Sequence, residues 1–508
     1  MTAKMPSDRV ARQGVGTNKM GDVHMRNLTM MTDLYQLTMM YGYYKHGMTQ
    51  NEAVFDLFFR TTRPHSEYTV MAGTKSAIDY INDLHFSQED IDYLRTLKLF
   101  DEDFLQMLLQ LRFTGEIYGM PEGTLVFPYE PLLRVRAPIM EAQLVETALL
   151  TLVNHQTLIA TKASRVVHAA RGDAVLEFGL RRAQGPDAGI YGARAAVVGG
   201  CVSTSNVLAG QWFGLAVGGT HAHSWVMSFP DEISAFRAYA ETFPDSCMLL
   251  VDTYDTLRSG VPNAIKVFDE LRAKGHEPTG IRLDSGDLAY LSKKARVMLD
   301  EAGYPNVKIF ASSDLDEYVI QDLKTQGARI DVWGVGARLI TSADWPALGG
   351  VYKLAAEVVN GDIIPKIKLS DNAAKLTNPG YKKVVRFYSK STGKALADLI
   401  MLDEETVEES KPLRIYHPEQ PYRTTVLTNF TTRELLVPLF IGGKQVYECP
   451  DVYATREYNR QEMDTFWAEY KRMLNPQAYK VDISDKLYDL KQRLIKENAK
   501  KDDEYHGV

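Results

Sequence analysis

The chain has 508 residues, 45% of them hydrophobic and 24% charged, with a formal net charge of −7 at pH 7; such a chain folds, but is too long for a single compact core. The acidic balance excludes a nucleic-acid surface built on a basic stripe, and no apolar stretch reaches the roughly 20 residues that a membrane span needs. Cys201, Cys247 and Cys449 are odd in number and far apart, without zinc or disulfide spacing, which predicts a reducing, cytoplasmic setting.

In chain order, residues 1–27 are polar, lack the apolar core of a signal peptide, and are expected to be a disordered lead-in. Residues 28–164 are expected to form an N-terminal α/β domain, with a strand at VFDLFFR (54–60) and a long apolar helix at ETALLTLVNHQTLIATKASRVV (146–167). From 165 to 345 short apolar runs alternate with amphipathic helices, the rhythm of a parallel sheet. The runs are DAVLEFGL, AAVVGG, GLAVGG, CMLLVD, TGIRLD, NVKIFASS and RIDVWGVG. Between them, NAIKVFDELRAKG sets Ala264, Phe268 and Leu271 on one helical face, and DLAYLSKKARVMLDEAG does so with Leu288, Leu291, Ala295 and Leu299. Each of these helices stops at a glycine suited to a left-handed C-terminal cap. Residues 346–508 return to mixed strands (GGVYKLAAEV, KKVVRFYS) and end in the charged helix KLYDLKQRLIKENAK; they are expected to complete the N-terminal domain.

In the middle region every run ends in polar, ionisable or glycine residues: Arg181 and Arg182, then STSN (203–206), THAH (220–223), Asp252, Arg282 with Asp284, Ser312 to Asp314, and Gly334 with Gly336. In a (β/α) barrel the C-terminal strand ends all open onto one face, where active sites sit. One polar strand end is a turn, but seven in succession build a pocket. Arg181, Arg182, Arg282 and Arg338 supply local positive charge suited to carboxylates and phosphates. Gly334 and Gly336, at the last strand, offer backbone N–H groups as an anion nest. Asp252 and Asp284 stand at strand ends, where carboxylates orient a histidine, hold Mg²⁺ or bind sugar hydroxyls; helix capping is an equal reading for Asp255 and Asp287. In extended chain, residues two apart point the same way, so His221 and His223 are expected to share the pocket. A metal reading runs short of further ligands. A neutral imidazole acting as nucleophile on a phosphate, oriented by a carboxylate, suits the arginine-rich surroundings better.

The segments MTDLYQLTM (31–39), LEFGLRRAQGPDAG (176–189), STSNVLAG (203–210), GTHAHSWVMSF (219–229), GIRLDSGDL (280–288) and VWGVGARLITS (332–342), with NPQAYKVDISDKLYDLK (475–491), resemble the nicotinate phosphoribosyltransferase family over about Asn27 to Lys491. The resemblance implies an α/β fold: an irregular (β/α) barrel of the type II phosphoribosyltransferase kind beside an α/β domain built from both chain ends. It implies that nicotinate, 5-phosphoribosyl-1-diphosphate and ATP give nicotinate mononucleotide, diphosphate, ADP and phosphate in NAD biosynthesis. Mg²⁺ is implied as cofactor, and a homodimer with shared active sites as the assembly. His223 takes the position of the phosphorylated histidine in GTxAHS, with His221 as its variable member. Thr220 of the same motif joins the substrate-binding set.

Tyr35 resembles an aromatic residue that stacks on the pyridine ring from the partner subunit. Arg181 and Arg282 are the implied contacts for carboxylate and phosphates. Asp252 is the expected partner of His223, and Asp284 that of the ribose or Mg²⁺ region. Gly334, Gly336 and Arg338 resemble a 5′-phosphate cradle. A neutral Asn206, where nicotinamide-using relatives carry an acid, favours a carboxylate substrate. The chain departs from the family at FFRTTRPHSEYTV, which lacks the usual glycine-rich turn, so no site role is assigned to His65 or Ser66. The rival readings are a quinolinate or nicotinamide phosphoribosyltransferase, or a non-catalytic ligand-binding protein on the same scaffold.

Overall fold

The computed structural model describes residues 26–369, 376–417 and 422–505; apart from Arg26 and Asn27, the expected lead-in lies outside them. Three large sheets carry the fold. The first, of seven strands, interleaves the two ends of the chain: the strand Glu52–Phe58 lies between Leu133–Pro138 and Val351–Val359, antiparallel to both. Its sequence EAVFDLF is buried from Ala53 onward, so both faces of the strand are covered and it shows no alternation between core and solvent. The one buried acid in it, Asp56, is neutralised by Lys382 Nζ at 2.7 Å, from a strand more than three hundred positions later. A second six-stranded sheet is built wholly from the C-terminal third. Lys382–Ser389 and Ala395–Leu402 form its longest antiparallel pair, over a small core that includes Phe387, Leu399 and Phe430. The C-terminal segment therefore does more than complete the N-terminal sheet.

The third sheet is the parallel one, with spatial order Ser203–Thr204, Ala174–Glu177, Val332–Val335, Lys308–Ser313, Gly280–Leu283, Met248–Leu250. Helices Val261–Ala273 and Leu288–Glu301 follow two of these strands and bury the faces read from the sequence, with Gly275 and Gly303 at positive φ just beyond each. Two expected strands are corrected. AAVVGG is the end of helix Pro186–Val198, which starts with proline in its first turn and is rich in alanine. GLAVGG contributes only a bridge from Val217 to Thr204.

That second segment nevertheless closes the barrel. The Thr204 N–H donates to Ala216 O at 3.1 Å and the Gly218 N–H to Thr204 O at 2.9 Å. On the opposite edge, the Leu250 N–H donates to His221 Nε2 at 3.3 Å. A side chain thus stands where a seventh strand's carbonyl would be, and this is the physical origin of the irregularity.

Candidate active site

Four of the expected residues meet at the C-terminal ends of adjacent strands. His223 is the first residue of a short helix, His223–Met227, with Ala222 as its N-cap. Its Nδ1 lies 3.1 Å from Thr253 Oγ1 and its Nε2 3.6 Å from Asp284 Oδ2. Arg282 spreads its guanidinium over three side chains and a carbonyl: Nη2 donates to Asp284 Oδ1 at 2.9 Å, Nε to Ser312 Oγ at 2.8 Å, and Nη1 to Thr220 Oγ1 at 3.3 Å and to His221 O at 3.5 Å. Ser312 also hydrogen-bonds Asp284. Burial raises the Asp284 carboxyl, but Ser312 and Arg282 outweigh it and hold the group below its usual range. The anion is fixed beside the imidazole without any rearrangement.

Asp252 does not contact His223 directly, which corrects the expected pairing. Its Oδ2 accepts the Asp284 N–H and the Ser285 hydroxyl, both at 2.7 Å, so it fixes the carboxylate that fixes the histidine. Asp252 and Asp284 close neighbouring strands (Leu250 pairs with Arg282), and the sequence alone does not say which of the two reaches His223. The other oxygen, Asp252 Oδ1, is buried without a hydrogen-bond partner.

His221 is also corrected. The chain turns at Ala222 to enter the helix, so the two-residue alternation fails and the imidazoles diverge. His221 is 9% exposed, packs on the Tyr239 ring with centroids 4.6 Å apart, and accepts the Leu250 N–H. Burial drives its pKa down from 6.5 to about 4, keeping it neutral as an acceptor must be. Asn206, buried, caps helix Val207–Phe213 by accepting the Ala209 N–H at 3.1 Å, and donates to Gly189 O at 3.0 Å. Its amide is occupied by backbone and does not line the pocket as a free group.

Gly334 lies in the last strand, and a Cβ on it would meet Phe178 Cδ2 at 2.7 Å. Gly336 precedes the short helix Ala337–Ile340 and also touches Phe178. Gly334 therefore makes room for the aromatic ring, whereas Gly336 lies only against the Phe178 backbone carbonyl; the Arg282 guanidinium lies 5.8 Å from the ring centroid. Phe178 was missed from the sequence because it sits inside an apolar run; its place immediately before the Gly179–Arg182 turn was the available signal. Thr253 and Ser285 were missed too, each directly following a strand-end aspartate.

Arg338, half-exposed, reaches Asp316 Oδ2 at 3.3 Å. Asp316 caps helix Glu317–Thr325, whose first residue anchors a buried ion cluster. Lys162 Nζ lies 2.5 Å from Glu317 and 2.8 Å from Asp344, Arg165 Nε lies 3.0 Å from Glu317, and Arg63 pairs with Asp344. Arg181 and Arg182 are exposed on a short 3₁₀ turn. Tyr35 stands 49% exposed on helix Leu34–Lys45, beside the equally exposed Leu34; it makes no described contact with the His223 cluster. No helix among the described residues is long and apolar enough to cross a membrane.

The chain is similar to known proteins over nearly its whole length. Residues 30–154 match the model of the nicotinate phosphoribosyltransferase N-terminal domain, and residues 381–491 match that of the C-terminal domain. The chain is 48% identical over 471 residues to a nicotinate phosphoribosyltransferase of Bacillus subtilis, covering 93% of this chain and 96% of that one. It is 38% identical over 516 residues to one of Dictyostelium discoideum, covering 91% and 87%. The crystal structure of human nicotinic acid phosphoribosyltransferase superposes with a TM-score of 0.81 at 31% identity, covering 91% and 99% of the two chains. A nicotinate-nucleotide pyrophosphorylase from Pyrococcus furiosus, at 23% identity and a TM-score of 0.66, shares the fold. With nearly the whole length aligned to relatives of one kind, the chain belongs to the nicotinate phosphoribosyltransferase family.

Proposed function

We propose that this chain transfers the phosphoribosyl group of 5-phosphoribosyl-1-diphosphate to nicotinate, with ATP phosphorylating His223 during the cycle, and so makes nicotinate mononucleotide for NAD biosynthesis. The observation that carries the reading is the position of the His223 imidazole between Thr253 and Asp284, 3.1 Å and 3.6 Å away, next to the Arg282 fork. Neutral imidazole is a competent nucleophile toward a phosphoryl group. Thr253 on Nδ1 and Asp284 beside Nε2 set the ring's orientation, and Arg282 and Thr220 offer donors to the anion that approaches. Phosphorylation of this histidine changes the charge beside Arg282, so the two states of the site differ in affinity for a diphosphate-bearing substrate. That difference is how ATP hydrolysis drives transfer forward.

The transfer itself breaks the bond from sugar C1 to diphosphate and joins C1 to the pyridine nitrogen, whose lone pair is already nucleophilic. No general base is required, and the burden falls on holding the ring and stabilising the leaving diphosphate. Phe178, whose ring packs on Gly334, supplies an aromatic face for the pyridine. Arg181 and Arg282 suit its carboxylate and the phosphates, and Arg338 with the glycine turn suits the 5′-phosphate.

Mg²⁺ fits the residues present: the buried, unpartnered Asp252 Oδ1 beside Asp284 suits a cation that takes one or two carboxylates plus substrate phosphates. When bound it would neutralise the leaving diphosphate. We extend the proposal to a cytoplasmic homodimer, in which the exposed Tyr35 and Leu34 complete the partner's site. Incubation with γ-labelled ATP tests the reading. The wild type should gain acid-labile, alkali-stable phosphate, while His223→Ala should gain none and keep only weak, ATP-independent transfer. Label retained in His223→Ala would overturn it.

A further inference from the structure

Glu177 is a buried acid that the chemistry above does not use. It ends the strand Ala174–Glu177, opposite Thr204 of the neighbouring parallel strand, so the two side chains lie on one face of the sheet. Both residues are fully buried. One carboxyl oxygen of Glu177 accepts the Gly179 N–H, and the other accepts the Thr204 hydroxyl at 2.6 Å. Burial pushes the carboxyl above its usual range, against the pull of these two donors, and no cation contributes. An acid kept in the interior without a cation is costly, and such groups concentrate at functional sites.

Thr204 passes the connection on. Its oxygen accepts the Asn206 N–H at 3.0 Å while its proton goes to Glu177. The Asn206 side chain donates in turn to Gly189 O at 3.0 Å. The relay therefore grips one segment at two points, Gly179 and Gly189. Between them runs the loop that carries Arg181 and Arg182 into the first turn of helix Pro186–Val198. No residue from 180 to 188 is buried, so the loop has little core packing to fix it, and the grip on its two ends takes that place.

We propose that Glu177, Thr204 and Asn206 form a positioning relay for the Arg181 loop, which sets the affinity for the substrate's carboxylate without touching it. The inference rests on the proposed contact between Arg181 and nicotinate. Holding a binding group in place beforehand removes an ordering cost that association otherwise carries. The relay therefore acts on nicotinate and leaves the phosphoribosyl substrate, held around Arg282 and Arg338, as it is. It also gives Asn206 a part in substrate choice from its buried position. Aspartate there would still accept the Ala209 N–H as a helix cap, but would face Gly189 O with an acceptor in place of a donor.

Steady-state kinetics and amide hydrogen exchange on the full-length protein test the relay. Thr204→Val and Asn206→Asp should each raise the KM for nicotinate at least about fivefold, with kcat and the KM for 5-phosphoribosyl-1-diphosphate within about twofold of wild type. Thr204→Ser, which keeps the hydroxyl, should match wild type. Exchange across residues 179–189 should quicken in the first two variants and not in the third. Added to Arg181→Ala, neither substitution should change the KM for nicotinate by more than about twofold further, because the relay acts through that arginine. Equal rises in both KM values, or a fall in kcat that follows the melting temperature, reduce the relay to a structural contact and overturn the proposal. So does an effect confined to Asn206→Asp, which is a new charge acting directly, and so does unchanged exchange. A wild type that converts no nicotinate overturns the functional reading and the substrate half of this one; exchange then still decides whether the relay holds the loop.

Discussion

His221 allows a sharp test of how the barrel closes. The Leu250 N–H, fully buried, has the His221 Nε2 lone pair as its acceptor. His221→Leu keeps much of the apolar volume but leaves that amide without a partner, at a cost of about 1–3 kcal/mol. His221→Gln offers a side-chain carbonyl instead and should cost under about 1 kcal/mol at pH 7.5. The pH dependence separates the two roles further. Because the folded pKa is about 4 against an ordinary 6.5, the unfolded chain takes up a proton between these values that the folded imidazole refuses. The contribution of neutral His221 is therefore complete above pH 6.5 and is lost as pH falls toward 4. The full difference is at most about 3.4 kcal/mol, of which about 2.2 kcal/mol falls between pH 6.5 and 4.5. Amide exchange at Leu250, followed by mass spectrometry from pH 7.5 to 4.5 and corrected for intrinsic rates, measures this opening locally. Global unfolding of a chain with three sheets would not isolate it. Wild type should lose protection on acidification relative to His221→Gln. Parallel loss in the two proteins would refute the closure argument.

Other substitutions probe the remaining contacts. Arg282→Lys cannot reach Asp284, Ser312 and Thr220 together; losing one or two charge-assisted bonds at about 1.5–3 kcal/mol each lowers kcat/KM by at least tenfold, and steady-state kinetics within twofold of wild type would contradict it. Gly334→Ala drives a methyl into Phe178 and should destabilise by about 1–3 kcal/mol while raising the KM for nicotinate. Adding Phe178→Leu should recover the melting temperature but not the KM. Lys162→Met removes a cation shared by Glu317 and Asp344 and leaves those carboxylates underpaired in the interior, costing about 3 kcal/mol in denaturant unfolding. It should weaken binding of the phosphoribosyl substrate more than that of nicotinate, because Glu317 begins the helix that Asp316 caps beside Arg338.

Much of this was legible in the sequence, because strand ends with ionisable residues are a local pattern with a global meaning. Arg282, Asp284, Thr220 and His223 meet because parallel neighbours deliver their tips side by side, and that follows from the βαβ rhythm. The failures had specific causes. AAVVGG looked like a strand by its valines, yet a proline start and a run of alanines make it the end of a helix. The two histidines were read by strand periodicity across a point where the chain caps a helix, so one faces the pocket and the other repairs a sheet edge. Asn206 carries the right chemistry for discriminating substrates, but its buried amide is committed to Gly189 and Ala209. Asp284 lies beside His223 where Asp252 was expected, because register between adjacent strands is a tertiary quantity.

The strand Glu52–Phe58 needs Val351–Val359 beside it and Lys382 to neutralise Asp56. During synthesis, everything from residue 59 to residue 350 must leave the ribosome first. At ordinary elongation rates that wait lasts roughly 15–60 s, with an apolar strand lacking its neighbour and an acid lacking its cation. A nascent chain of this architecture is therefore a natural client for chaperones that bind early and release late. Shortening it from the C-terminal side should leave the first domain unable to fold, however complete its own sequence.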